Sequence, residues 1–297
     1  LAVPEGGASP YYERPLHNED RRRIESASGQ LAHEFMGMAP RQARVGCSPP
    51  AVMGPGFRLC LQFRLGLRLS TNKASGRTCA SCGRPGDPYG HHSIGCNGTS
   101  ARLLRHNAPL QVLLAMATNA AHQTMIPGRG QCKGQHYATL NDPPEGMAKT
   151  WTPDALVLDC PQPGRTAVCD ITVWHANQPS NRVDGPRRAV PLETANHAEK
   201  GKRDHVAAFV AALDAQGTPA DPAEVFFPLA VETYGAPSET TLRMFKWLID
   251  MWKEAKQATP SQVAYYRHQW KFRFSVAVQR HNAQMLMDGA AAADDAE

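Results

Sequence analysis

The stretch CASCGRPGDPYGHHSIGC, residues 79–96, restricts this chain more than any other. Gly83, Pro85, Gly86, Pro88 and Gly90 make it a tight polar loop with too little apolar surface to fold by itself. Three of the eight cysteines and two of the twelve histidines fall in it. Cys79 and Cys82 offer two thiolates from one CxxC turn, and His91 with Cys96 returns the other two donors of a tetrahedral zinc site. His92, one residue on, is an equally available donor. The metal's binding energy would then be the folding energy of the loop. Four protein ligands close the coordination sphere, so the expected Zn²⁺ is structural. Cys47, Cys60, Cys132, Cys160 and Cys169 have no motif spacing, and a disulfide framework would be denser and more regular.

Around this loop the hydrophobic pattern predicts an α/β core. DALVLDC (154–160) and TAVCDITVW (166–174) are short, apolar and β-branched, and PQPGR joins them as a hairpin or as adjacent strands. AEVFFPLAVETYG (223–235) is a continuous apolar run of the kind buried in a parallel sheet. Helical patterns cover 103–123, where Pro109 is read as the true helix start, and 192–215, ending at Gly217. Two more helices are expected near 238–257 and 261–288. Strands at 154–159, 166–173 and 224–233 are therefore expected in one sheet between the first two helices. The expected core holds Leu113, Leu156, Leu158, Val168, Ile171, Val173, Phe209, Phe227, Leu229 and Val231, with Leu103, Leu104, Leu110, Leu114 and Met116 on the buried helix. FRLCLQFRLGLRLS (57–70) reads equally as a strand or an amphipathic helix, with arginines toward solvent or nucleic acid. Residues 1–55 read as linker with one short helix around SGQLAHEFMGM, and DGAAAADDAE at the other end as a solvated acidic tail.

A net charge of +5 and a pI near 8.8 lean mildly toward polyanions. No run approaches eighteen apolar residues and no signal-peptide pattern opens the chain, so neither a membrane span nor secretion is expected. The start at Leu1 rather than Met is what a piece of a longer polypeptide would have, and upstream domains are expected.

The chemistry centres on two acids. Asp154 opens one expected strand and Asp170 lies within the next, and across a hairpin the two carboxylates can converge into an oxygen-lined Mg²⁺ site. Such an ion activates water and stabilises a departing phosphate oxygen. The following helix carries Lys200 and Lys202, two apart and thus on different faces, so only one can point inward. Taken alone, a Pro-Asp pair and a later Asp are ordinary turn chemistry.

The ordered set of Cys/His knuckle, Arg105-His106-Asn107, Pro153-Asp154, Asp170-Ile171-Thr172 and a Lys-bearing helix resembles the restriction-like endonuclease domain of site-specific non-LTR retrotransposons, of the PD-(D/E)XK class. The order runs over 79–205, and looser similarity extends through RLGLRL, AEKGKR, PLAVETYG and FRFSVAVQ. The resemblance implies a PD-(D/E)XK core, a mixed sheet flanked by helices, with a zinc knuckle and a helical C-terminal extension. Divided accordingly, 1–75 is linker and docking segment, 76–98 the knuckle, 99–250 the nuclease core and 251–297 the extension with its tail. It implies that Asp154 and Asp170 hold Mg²⁺, and that Lys202 is a displaced catalytic lysine, since Thr172 stands two after the second acid; Lys200 is its rival. It favours His91 as the zinc ligand, through its spacing to Cys96, and assigns Arg105, His106 and Asn107 to DNA, with a structural role as the alternative for His106. Arg187 and Arg188, in the insertion before the helix, are read as loop or DNA contact. The implied activity is nicking of target DNA in the nucleus to expose a 3′ hydroxyl for a reverse transcriptase in the parent polypeptide, with element RNA as a further partner. The rival reading is a degenerate knuckle module that binds nucleic acid without cutting it.

Overall fold

A computed structural model describes residues 55–69, 79, 82–96, 98, 100–126, 138–175, 193–217, 221 and 224–291. The short helix expected near 28–38, Cys47, Cys132, Arg187 and Arg188 lie outside them. Helix α1 is Pro55–Leu65, α2 His91–Gly95 and α3 Ser100–Asn119. Strands β1 (Thr124–Met125), β2 (Ala138–Thr139), β3 (Thr150–Trp151), β4 (Ala155–Leu158) and β5 (Thr166–Trp174) follow. The rest is α4 (Glu193–Ala215), β6 (Glu224–Glu232), α5 (Glu239–Lys256) and α6 (Pro260–Ala291).

The architecture is mixed α/β, a mixed sheet flanked by helices. The four-stranded sheet has the order β1-β4-β5-β6. β1 and β4 and then β4 and β5 pair antiparallel, whereas β5 and β6 pair parallel over their whole length, with α4 as the crossover. The three expected strands thus share one sheet. Alternation decides what each face meets. Ala155, Val157, Ala167, Cys169, Ile171, Phe227, Leu229 and Val231 turn toward α3, α5 and α6, joining Leu113, Met116, Phe245, Leu248 and Phe274 in the main core. The opposite face packs on α4 through Ala195, Ala198 and Ala230. A β2–β3 ribbon adds Leu140 beside Phe209 and Leu213 of α4.

Several expected core positions differ. Leu156 and Leu158 are half-buried, because the smaller Ala155 and Val157 hold the densely packed face of β4; Val173, near the end of β5, is half-buried too. Leu103 and Leu104 are exposed, since they precede the part of α3 that reaches the sheet. Pro109 lies inside α3 rather than at its start. An interior proline costs a helix about 3 kcal/mol or more, and here the turn before it is held from outside by Arg105, whose guanidinium donates to Ile94 O at 2.9 Å.

The ambiguous 57–70 stretch is helical up to Leu65. α1 buries Leu59, Cys60, Phe63 and also Arg64, which donates to Tyr234 O at 2.8 Å; Arg58 and Arg68 are exposed. The C-terminal helix is less an extension than a brace. α6 packs on α1, α2 and α3, and its Gln279 and Asn282 side-chain amides donate to Thr233 O at 3.1 and 2.6 Å.

Gly90 marks the tightest approach between the knuckle and this brace. Its φ of +83° suits glycine, and a Cβ there would stand 2.5 Å from Leu286 Cδ2 and 2.7 Å from Leu69 Cδ1, both buried. Left-handed strain and overpacking add, so Gly90→Ala is expected to destabilise the chain by about 2–4 kcal/mol, read as a lowered urea midpoint at unchanged m-value.

Candidate functional site

The register of the hairpin builds the first site. Ala155 pairs with Cys169, so one step outward Asp154 stands across from Asp170, and both acids fall on the α4 face of the sheet. The expected convergence follows from that pairing. Asp170 is buried, its side chain only 11% exposed, and Lys202 Nζ donates to its Oδ1 at 2.5 Å. Lys200 points away: it pairs with Asp204 on the outer face of α4, 73% exposed. Its candidacy as the inward lysine ends there, for the helical reason that residues two apart diverge.

Asp154 is held from two sides. Ile171 N donates to its Oδ2 at 2.7 Å, and His106 Nε2 stands 3.2 Å from the same oxygen and 2.8 Å from Ile171 O. His106 Nδ1 in turn faces Asn107 Oδ1 at 3.1 Å. His106 is therefore a neighbour of the acids, supplied by α3. Arg105, also expected to meet DNA, is buried against the knuckle instead, and burial lowers its pKa to about 10. Side chains one residue apart on a helix diverge by about 100°, which splits the Arg105-His106-Asn107 motif between two jobs.

The electrostatics separate the two carboxyls. Burial alone would raise Asp154, but the hydrogen bond and charge of His106, and hydrogen bonds from Asp170 and Ile171, hold it below the usual range. Asp170 is pushed up to about 6, chiefly by burial and also by Asp154, with Lys202 opposing. Burial pulls His106 down, yet Asp154 outweighs it and raises its pKa. Two carboxyls sharing one site behave this way, one keeping its charge while its partner retains a proton longer. Beside them, Glu199 on α4 accepts from Arg203 at 2.6 Å and from Thr240 Oγ1 at 2.6 Å, tying α4 to the start of α5. Nothing in the sequence marked that tie.

The second site is the knuckle. Cys79, Cys82, His92 and Cys96 bring their donor atoms within 4.8 Å of one another, a Cys₃His cluster that could bind a metal such as zinc. Cys79 Sγ and Cys96 Sγ are 3.8 Å apart, and Cys82 Sγ and His92 Nε2 are 3.3 Å apart. Zn–S bonds of about 2.3 Å at tetrahedral angles separate two sulfurs by roughly 3.8 Å. The set fits. Burial, with the Cys79 and Cys82 thiols beside it, pushes the Cys96 thiol up to about 11.

The histidine is His92, a correction to His91. The Asp87 carboxylate accepts from the His91 N–H at 3.2 Å and the His92 N–H at 2.6 Å, starting α2 between them. From that point the two side chains diverge around the helix. His92 turns to the cysteines. His91 turns inward, stacked on His175 with Nδ1 at 3.1 Å from its Nε2, and His175 Nδ1 reaches Thr233 Oγ1 at 2.9 Å. Because His175 directly follows β5, the metal loop is fastened to the strand that carries Asp170.

No helix among the described residues is long and apolar enough to cross a membrane. Comparison with protein-family models and with curated proteins finds no match to this chain.

Proposed function

We propose that the chain is a metal-dependent DNA endonuclease with a PD-(D/E)XK-type core, nicking target DNA for a reverse transcriptase carried by the same parent polypeptide in the nucleus. The observation that carries this reading is Asp154 across from Asp170 with Lys202 Nζ on the latter, on one face of one sheet. The order helix, antiparallel strands, crossover helix and parallel strand supports the same reading.

The donors suit Mg²⁺: Asp154, Asp170 and the Ile171 carbonyl are hard oxygens, and the His106 imidazole beside them is engaged by Asp154 and Ile171 O. When bound, the ion supplies polarisation of the phosphate and a more acidic water. The chain's own residues do the rest. The Ile171 N–H and His106 fix the Asp154 carboxylate. Lys202, partly exposed, exchanges Asp170 for a phosphate oxygen and holds positive charge where negative charge develops. Water's oxygen then forms a bond to phosphorus and releases a proton to solvent as the bond to the 3′ oxygen breaks, and that oxygen takes a proton from solvent to leave as a 3′ hydroxyl. A metal in the knuckle would lie outside this chemistry, closing the loop on itself, while His91 on His175 fastens the loop to β5. Element RNA remains a further proposed partner, on the resemblance alone.

Plasmid nicking in Mg²⁺ tests the reading. Asp154→Ala and Lys202→Ala are each expected to lose most activity, by about 10²–10³-fold, while Lys200→Ala nicks like the wild type. Equal nicking by wild type and Asp154→Ala would leave the non-cutting nucleic-acid module as the better reading.

A further inference from the structure

With Arg105 buried and His106 bonded to Asp154, the residues first assigned to DNA do not form an open phosphate-binding surface. A different surface has that character. A cavity of about 430 Å³ opens between α5 and α6, with Arg243 and Lys246 on one bank and Arg267 and Lys271 on the other. Only Glu239 and Asp250 offset these four cations within it, and Asp250 is already engaged by Lys246 at 2.9 Å. No ion pair joins Arg267 or Lys271 to another described residue. Phe245 and Ile249 form a buried floor, so the cations stand on a rigid base formed by two packed helices.

At the edge of the cavity Arg243 is held by Thr240. Arg243 Nη2 donates to Thr240 Oγ1 at 3.0 Å, and Arg203 Nη2 donates to the same oxygen at 2.8 Å. Two guanidiniums thus converge on one hydroxyl, with the Glu199 carboxylate beside it. Arg203 is itself paired with Glu199, so the open positive charge is that of the four cations lining the cavity. Cations spread along two helices fit the spaced phosphates of a nucleic-acid backbone better than a single small anion does.

We infer that the α5–α6 groove, through Arg243, Lys246, Arg267 and Lys271, grips the phosphate backbone of duplex DNA. That this duplex is also the one cut rests on the nuclease reading; that the groove binds DNA does not.

The test measures binding of the full chain to a short duplex over a range of salt, without Mg²⁺, for wild type, Arg267→Ala/Lys271→Ala and Lys253→Ala/Lys256→Ala. The last pair removes equal charge from exposed positions on α5 that do not line the cavity. The groove variant is expected to lower the slope of log affinity against log salt by about 2, from two lost phosphate contacts, uniformly across sequences. The control variant should keep the wild-type slope. Thermal melting verifies the fold, and Arg267→Gln/Lys271→Gln repeats the loss with polar side chains. Equal slopes in all three proteins, or no duplex binding by wild type, would overturn the inference. Competition by inorganic phosphate at low millimolar concentration would overturn it in favour of a small-anion pocket. A groove-dependent affinity for single-stranded RNA but not for duplex would overturn the choice of DNA. Plasmid nicking by wild type is scored separately: nicking with unchanged slopes sinks the groove alone, and groove-dependent binding without nicking sinks the nuclease reading alone.

Discussion

Asp170→Asn is expected to abolish Mg²⁺-dependent nicking, by about 10³-fold or more, while leaving the protein as stable as the wild type at pH 7.5 or more so. Activity and stability part company because the buried carboxyl is held against its own ionisation. Its pKa is pushed up to about 6 by burial and by Asp154, despite Lys202. A carboxyl whose folded pKa lies above its unfolded value of 3.8 binds more protons in the folded state. Stability therefore falls as pH rises from about 4 to about 6, and the loss is complete above that window. Asparagine carries no charge to desolvate and escapes this penalty. Lys202 loses its partner but is 29% exposed and reaches water. Wild-type nicking should correspondingly rise with pH through about 6 as Asp170 ionises. Melting curves at pH 4.5 and 7.5 beside the nicking assay check both halves. Retained nicking would remove Asp170 from the mechanism, and a melting point lowered at pH 7.5 would refute the proposed strain.

His92→Ala is expected to lose the metal, whereas His91→Ala keeps it. Freshly purified wild type should carry about one zinc per chain by elemental analysis, through Cys79, Cys82, His92 and Cys96. Structural zinc is worth roughly 10–16 kcal/mol of apparent folding energy in small zinc-finger peptides at neutral pH. Residues 82–85 are exposed, and Gly83, Pro85, Gly86 and Pro88 bring little apolar packing of their own, so this end of the loop leans most on the metal while Gly90, His91 and Ile94 anchor the other end. Chelation or Cys96→Ser should therefore open residues 82–96 to proteolysis. Because thiolates must form, binding should release protons and weaken as pH falls. His91→Ala should retain zinc while loosening the stack on His175 and lowering the melting point. Zinc loss from His91→Ala with retention in His92→Ala would reverse the ligand assignment.

The sequence alone determined a good deal of this protein, wherever the deciding chemistry is local. The three cysteines of the knuckle stand close in the chain and need only a turn and a short helix to meet. The strands at 155–158, 166–174 and 224–232 were legible because apolar and β-branched runs have few other uses. Asp154 and Asp170 were legible as a pair because a hairpin fixes which residues stand opposite. Where two conformations satisfied the same local pattern, as in 57–70, only packing chose. There a helix buries Leu59 and Phe63 and takes Arg64 to Tyr234. The same limit governed His91 against His92 and Lys200 against Lys202. Adjacent and next-but-one side chains on a helix differ by angle rather than chemistry, and the neighbour that selects between them comes from far along the chain: Phe63, His175 and Tyr234 for the first pair, Asp170 for the second. The fate of Arg105 and the cations of the α5–α6 groove were decided likewise by tertiary structure alone. A charge in a sequence carries no burial, and only the packing of α3 beside the knuckle and of α5 beside α6 determined which arginines were spent on carbonyl groups and which were left facing solvent.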